Sequence, residues 1–332
     1  MKEYQIILRG GSVAGVLEQE RKLLSEHTER RFLLKRWLLS DVDSQIGEIP
    51  YEDGAVSYIG QKPLDGSVVA LWIWMVEDVA VEYRPGLTIA RGDGLEHYIC
   101  AGLTGGGDDS ESQTAGILNC YEKFLSDNGM DIEANCVRTW FFCNDIDNNY
   151  AGLVKARREN FALNGLTADT HYIASTGIAG IPSQGRTVQM DAWAIRGDVE
   201  HRYLYAATHL NPTSEYGVTF ERGVRLDYSG CARCVISGTA SINNRGEVVY
   251  VGDVKAQTLR MLENISVLLE EGGACLEDIS VALVYLRNAA DAEVVDAVLG
   301  PVLTGKPYIL LEAPVCRPDW LVEMECLTCK AL

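Results

Sequence analysis

QTLRMLENISVLLEEGGACLEDISVALVYLRNA, residues 257–289, decides how the rest of the chain is read. It lies over QTAGILNCYEKFLSDNGMDIEANCVRTWFFCND (113–145) at a constant offset of 144 residues, with no gap. Gln113, Thr114, Leu118, Leu125, Gly129, Glu133, Val137 and Asn144 meet identical residues, and the apolar positions between them agree. A match at one fixed offset is the mark of an internal repeat. Each copy has apolar residues at helical spacing, then a glycine placed to end a helix (Gly129 or Gly273). An apolar run of strand character follows, VRTWFF or VALVYL.

The repeat extends on both sides. Upstream of each helix lies a strand ending in glycine, HYICAGL (97–103) or CVISGTA (234–240). Downstream come a second helical stretch and two strands: HYIASTG and TVQMDAWAI in one copy, YILLEAP and LVEMECLTC in the other. A worn third copy is read at the front, where LEQERKLLSEH (17–27) is helical and RWLLSDVDSQ (36–45) resembles TWFFCNDIDNN (139–149). It has a reduced opening hairpin and no obvious second helix. The expected fold is α+β: mixed sheets with helices on one face, repeated two to three times. The expected boundaries are 1–90 for the degenerate unit, 91–200 for the next and 201–332 for the best-preserved one. Helices on one face leave the other face of each sheet to be covered. Three units covering one another would make a monomer with an internal pseudo-threefold axis; a trimer of chains is the alternative.

The closing strands hold the candidate chemistry. Alternate residues of a strand share a face. Leu321, Glu323, Glu325 and Leu327 share one, and Val322, Met324, Cys326 and Thr328 the other, which suits packing under helices. At the first point of the inward face the three copies carry Val69, Gln189 and Glu323, and one step on, Leu71, Asp191 and Glu325. The acid at the first point occurs in the last copy alone. A carboxyl in a closed, partly apolar cleft is pushed toward its protonated form by desolvation, which makes Glu323 a candidate general acid.

Bulk properties narrow the partners. The chain has 332 residues and a net charge of −18. Nucleic-acid backbones are bound through clusters of Lys and Arg, so a strongly acidic chain without a basic run is not expected to bind them. No apolar run approaches the length of a membrane span. MKEYQIILRGG lacks the apolar stretch of a signal peptide, and a cytoplasmic address is expected. The ten cysteines are expected to be reduced. The pairs Cys231/Cys234 and Cys326/Cys329 lie in strand-like text some 90 residues apart, so they are read as buried thiols, with no metal. GLTGGGDD (102–109) is followed by acids and carries no Lys-Ser/Thr, so it is read as a hairpin turn and not a phosphate cradle.

Residues 234–299 resemble the RidA/YjgF superfamily (endoribonuclease L-PSP-like proteins). The SG turn, the GD before the helix, the Q-x-x-x-x-L-x-N helix and the E-x-E closing strand carry the likeness. It implies a chorismate mutase-like fold, trimers with clefts between protomers and, in many members, hydrolysis of enamines and imines. Those deaminases hold the substrate carboxylate with an arginine just after P-x in the penultimate strand; here that place falls on Ile309. The longer arrangement resembles a narrower group, the chorismatases. It does so through TWFFCNDIDNNYAGLVKARRENFALNG (139–165), ASTGIAG (174–180) and YGVTFERGVRL (216–226). This resemblance implies cofactor-free hydrolysis of chorismate, with Glu323 as acid and carboxylate-binding arginines at Arg157 and Arg222. Because guanidinium forks suit carboxylates, Arg138 joins them as a candidate. Tyr216 is a candidate donor to the ligand and Cys316 a wall residue. The expected ligand is a small anionic carboxylate. A RidA-type deaminase and a non-catalytic carboxylate-binding protein are the other readings.

Overall fold

The computed structural model describes residues 1–332, except for the side chain of Tyr216. The first unit holds β1 (Lys2–Gly10), α1 (Val13–Glu26), β2 (Arg31–Leu39), the single turn α2 (Val42–Gln45), β3 (Val56–Gly60), β4 (Lys62–Pro63) and β5 (Val69–Glu77). The second holds β6 (Ala80–Arg84), β7 (Leu87–Gly92), β8 (Leu95–Thr104), α3 (Ser110–Asp127), α4 (Ile132–Asn135), β9 (Cys136–Cys143), α5 (Ile146–Leu163), β10 (Ala174–Ala179), β11 (Ile181–Pro182) and β12 (Val188–Arg196). The third holds β13 (Arg202–Leu204), β14 (Gly223–Tyr228), β15 (Cys231–Ala240), α6 (Val254–Glu271), β16 (Ile279–Leu286), α7 (Ala292–Val302), β17 (Tyr308–Glu312), β18 (Val322–Thr328) and β19 (Lys330–Ala331).

One strand order recurs in the three sheets: opening strand, closing strand, central strand, penultimate strand. It reads β1-β5-β2-β3, then β8-β12-β9-β10, then β15-β18-β16-β17. The closing strand is antiparallel to both neighbours, and the central and penultimate strands are parallel. A parallel pair needs a crossover, which α5 and α7 supply in the second and third units. The first unit crosses over through the four-residue α2 and a 3-10 turn, which is the missing second helix. Short strands link the sheets: β11 extends the first sheet at β3, and β4 extends the third at β17.

Two expectations need correction. β6 and β7 pair into the second sheet, so that sheet begins at Ala80 and not at 91. GLTGGGDD is not a hairpin turn: it runs from β8 into α3. Its glycines permit close packing, since a Cβ on Gly105 would stand 2.1 Å from the Gln113 carbonyl oxygen. Local signals explain the helix ends. Asp109 caps α3 by accepting from the Ser112 amide at 2.7 Å. Gly129 and Gly273 follow α3 and α6 at φ of +70° and +74°, where a side chain would be strained. Of the two CxxC pairs, Cys234 and Cys326 are buried and Cys231 and Cys329 half-buried, all as free thiols.

The faces of the sheets turned away from the helices meet one another. Each junction carries a buried arginine–carboxylate pair. Arg36 donates Nε and Nη2 to Asp191 at 3.1 and 2.8 Å between the first and second units. Arg138 Nη2 donates to Glu325 at 2.6 Å between the second and third. Arg233 Nε donates to Glu3 at 2.5 Å between the third and first. Indole rings pack edge-on beside them, Trp72 on Trp140 and Trp74 on Trp193. Breaking a buried pair leaves an uncompensated charge. Arg138→Met is therefore expected to lower the free energy of unfolding by about 3–5 kcal/mol, read by urea denaturation near neutral pH.

Candidate active site

A cavity of about 370 Å³ opens between the second and third units. The second unit contributes Tyr150, Val154, Lys155, Arg157 and Arg158 from α5 and Ser175, Thr176 and Gly177 from β10. The third contributes Gly238, Ala240 and Glu323 from β15 and β18, together with Gly217, Val218, Phe220 and Arg222, and with Cys316, Arg317 and Trp320. Five cations line it: Lys155, Arg157, Arg158, Arg222 and Arg317. Among the described residues Glu323 is the one acid in the wall. The cavity is thus locally basic in a chain of net charge −18.

Glu323 sits where strand alternation placed it, on the inward face of β18 and 5% exposed. No hydrogen bond reaches its carboxyl among the described residues. Burial, with the neighbouring charge of Glu325 added, pushes it up to about 8, against the pull of Arg222 and Arg138. The carboxyl rests on the backbone of Gly238 in β15, where a Cβ would stand 2.2 Å from Glu323 Oε1. This is the physical reason for glycine in the SG turn. Ser237 beside it is pinned: it donates to the Glu221 carbonyl at 2.6 Å and accepts from the Ser175 amide and Arg138 Nη1.

Arg157 and Arg222 reach the same cavity. Both are buried, at 1% and 4% exposure. Arg157 points from α5 with Nε toward Thr219 Oγ1 at 3.3 Å and Nη1 toward Ser175 Oγ at 3.5 Å. Arg222 donates Nη2 to the Asn211 carbonyl at 3.1 Å. Cys316 lines the wall, and burial pushes its thiol up to about 12, which leaves it protonated and a weak nucleophile. The side chain of Tyr216 lies outside the described residues.

Arg138 is the candidate the structure moves elsewhere. It is 1% exposed and absent from the cavity wall, with its guanidinium committed to Glu325, Thr176 and Ser237. Its role is to join two units. Lys155, Arg158 and Tyr150 are cavity residues that the sequence reading did not select.

The place of Ile309 also changes meaning. β9 and β16 begin at 136 and 279, so Trp140 corresponds to Leu283. Thr176 stands beside Trp140 in the second unit as Ile309 stands beside Leu283 in the third, so Thr176 is the counterpart of Ile309. The penultimate strand that lines the cavity with Glu323 is β10, and its residue at this place is Thr176. Arg157 reaches the neighbouring Ser175 from the helix above.

Comparisons with known proteins agree with this architecture. The family model described as endoribonuclease L-PSP matches residues 228–330. A RutC family protein of Pyrococcus abyssi is 38% identical over 87 residues, which are 26% of this chain and 68% of that protein. The 3-aminoacrylate deaminase RutC of Acinetobacter baylyi is 29% identical over 91 residues, 27% of this chain and 72% of that protein. The chain belongs to this RutC-type family of the RidA superfamily. Over its whole length the fold is that of a chorismatase crystal structure, with a TM-score of 0.74, 98% of each chain covered and 21% sequence identity.

Proposed function

We propose that this chain hydrolyses chorismate or a closely related enolpyruvyl ether that carries carboxylates. The observation that carries the reading is the buried carboxyl of Glu323, without a hydrogen-bond partner among the described residues, facing a cavity whose other charged lining groups are cations. Arg157 and Arg222 hold the substrate carboxylates as guanidinium forks. Glu323 gives its proton to the terminal methylene carbon of the enol ether. The carbon it leaves behind becomes an oxocarbenium ion, and water adds there, returning one proton to Glu323. The hemiketal then collapses to pyruvate and the ring alcohol. One water is consumed and Glu323 ends as it began. The residues named suffice for each step without a cofactor.

The test is pyruvate release from chorismate, followed by a coupled assay, beside ammonia release from 3-aminoacrylate. Pyruvate from the first with little ammonia from the second is expected. Ammonia alone would move the assignment to a RidA-type deaminase, although Thr176 stands where those enzymes carry their carboxylate arginine. Tight carboxylate binding with neither product would make the cavity a binding site.

The same reading makes the chain a monomer acting in the cytoplasm, where ten free thiols are at home. No helix among the described residues is long and apolar enough to cross a membrane. Light scattering is expected to return the 36.5 kDa of one chain. A stable particle of three chains would overturn the self-contained arrangement.

A further inference from the structure

Burial is the first cause that favours the proton on Glu323; Arg222 and Arg138 both favour the ionised form, and a neighbouring negative charge opposes them. The neighbour on the same face of β18 is Glu325, 3% exposed and saturated with donors. Arg138 Nη2 (2.6 Å) and Thr176 Oγ1 reach one oxygen, and Trp140 Nε1 (2.9 Å) and the Tyr285 hydroxyl (3.1 Å) reach the other. Four donors, one of them a guanidinium, anchor the Glu325 carboxylate. Among the described residues Glu323 has none.

The other junctions supply an internal comparison. In the second unit Asp191 occupies the place of Glu325 and is likewise fixed by Arg36 and by the Gly102 amide at 2.9 Å. The place of Glu323 is there held by Gln189, which is neutral at every pH and donates to Ser57 at 3.1 Å. In the first unit both places are apolar, Val69 and Leu71. In the second unit, then, the anchored carboxylate at the second point stands beside an uncharged side chain at the first. Two like charges two residues apart on one buried strand face repel strongly, and the one with fewer donors takes the proton.

We propose that Glu325 is a positioning residue for the chemistry of this site: anchored by Arg138, Thr176, Trp140 and Tyr285, it keeps the neighbouring Glu323 in its proton-donating form. The inference rests on the reading of Glu323 as a proton donor. The described charged and titratable groups facing Glu323 are Glu325 on its own strand, Arg138 and Arg222 on packed elements, Lys155, Arg157, Arg158 and Arg317 around the cavity, and the neutral Tyr150 and Cys316.

Infrared spectroscopy of the resting protein tests it without substrate. The carbonyl stretch of the protonated acid, assigned by its loss in Glu323→Gln, is followed as pH is raised. In Glu325→Gln the midpoint of its disappearance is expected to fall by about one pH unit or more. Should that variant not fold, Arg138→Gln/Glu325→Gln leaves no orphaned charge and is expected to shift the midpoint in the same direction. An unmoved midpoint in a folded variant overturns the inference. The alkaline limb of pyruvate release is expected to move with the band. A moved band in a protein that releases no pyruvate would sink the hydrolase and leave the inference standing. Release with an unmoved band would do the reverse.

Discussion

Glu323→Gln is expected to lower pyruvate release by about 10²- to 10⁴-fold while making the protein more stable at neutral pH. Glutamine keeps the shape and the planar end of the side chain but has no acidic proton, so the loss falls on kcat and leaves KM nearly unchanged. For the wild type the same proton sets the pH profile: activity is expected to decline as pH rises through about 8, where Glu323 ionises. Stability has a definite sign. The folded protein holds this proton up to about 8, whereas the unfolded chain loses it near the ordinary value of 4.5. The contribution of Glu323 is therefore intact below the lower value and is lost progressively as pH rises through the upper one. At neutral pH the loss amounts to about 2–3 kcal/mol. A neutral amide escapes it, so a higher melting temperature beside a dead enzyme is the expected pair of results. A variant that still releases pyruvate would remove Glu323 from the mechanism, whatever its stability.

Gly238→Ala is expected to act on the same carboxyl from the other side. The added Cβ would stand 2.2 Å from Oε1 and 2.8 Å from Cδ of Glu323, and 3.1 Å from Thr176 Cγ2. The two closest atoms are the free end of one side chain and Thr176 has to give by only a few tenths of an ångström, so the fold accommodates the methyl and the melting temperature moves little. The acid cannot stay where it is. A displacement of the order of 1 Å costs a positioned group about 10²-fold in rate. The expected variant is a folded protein with kcat lowered by about that factor, its circular dichroism unchanged. Full activity in Gly238→Ala would show that the acid has room to spare.

The architecture was legible because the repeat is gapless over its best part and because glycines mark its helix ends. The position of Glu323 was legible because strand alternation has a period of two, which leaves no choice of face once the helix side is known. What stayed hidden depends on neighbours distant in sequence. Arg138 reads as a free cation until Glu325, 187 residues away, is seen to claim it. Thr176 is not marked in the sequence, because the place of Ile309 is read within the last unit, whereas half the cavity comes from the unit before it. The start of the second sheet at Ala80 was misplaced for a similar reason, since only the pairing of β6 and β7 reveals which sheet they join.

The three junctions of this molecule have unlike linings, and that has a consequence for counting. A ring of three separate identical chains must place the same residues at each junction, so a proton carrier in one cleft is a proton carrier in all. Joining the units in one polypeptide lets Val69, Gln189 and Glu323 differ. A titration should therefore find a stoichiometry of one ligand per chain, and a calorimetric isotherm with a single class of sites. Two thirds of the junctions are released from chemistry and left to hold the fold together.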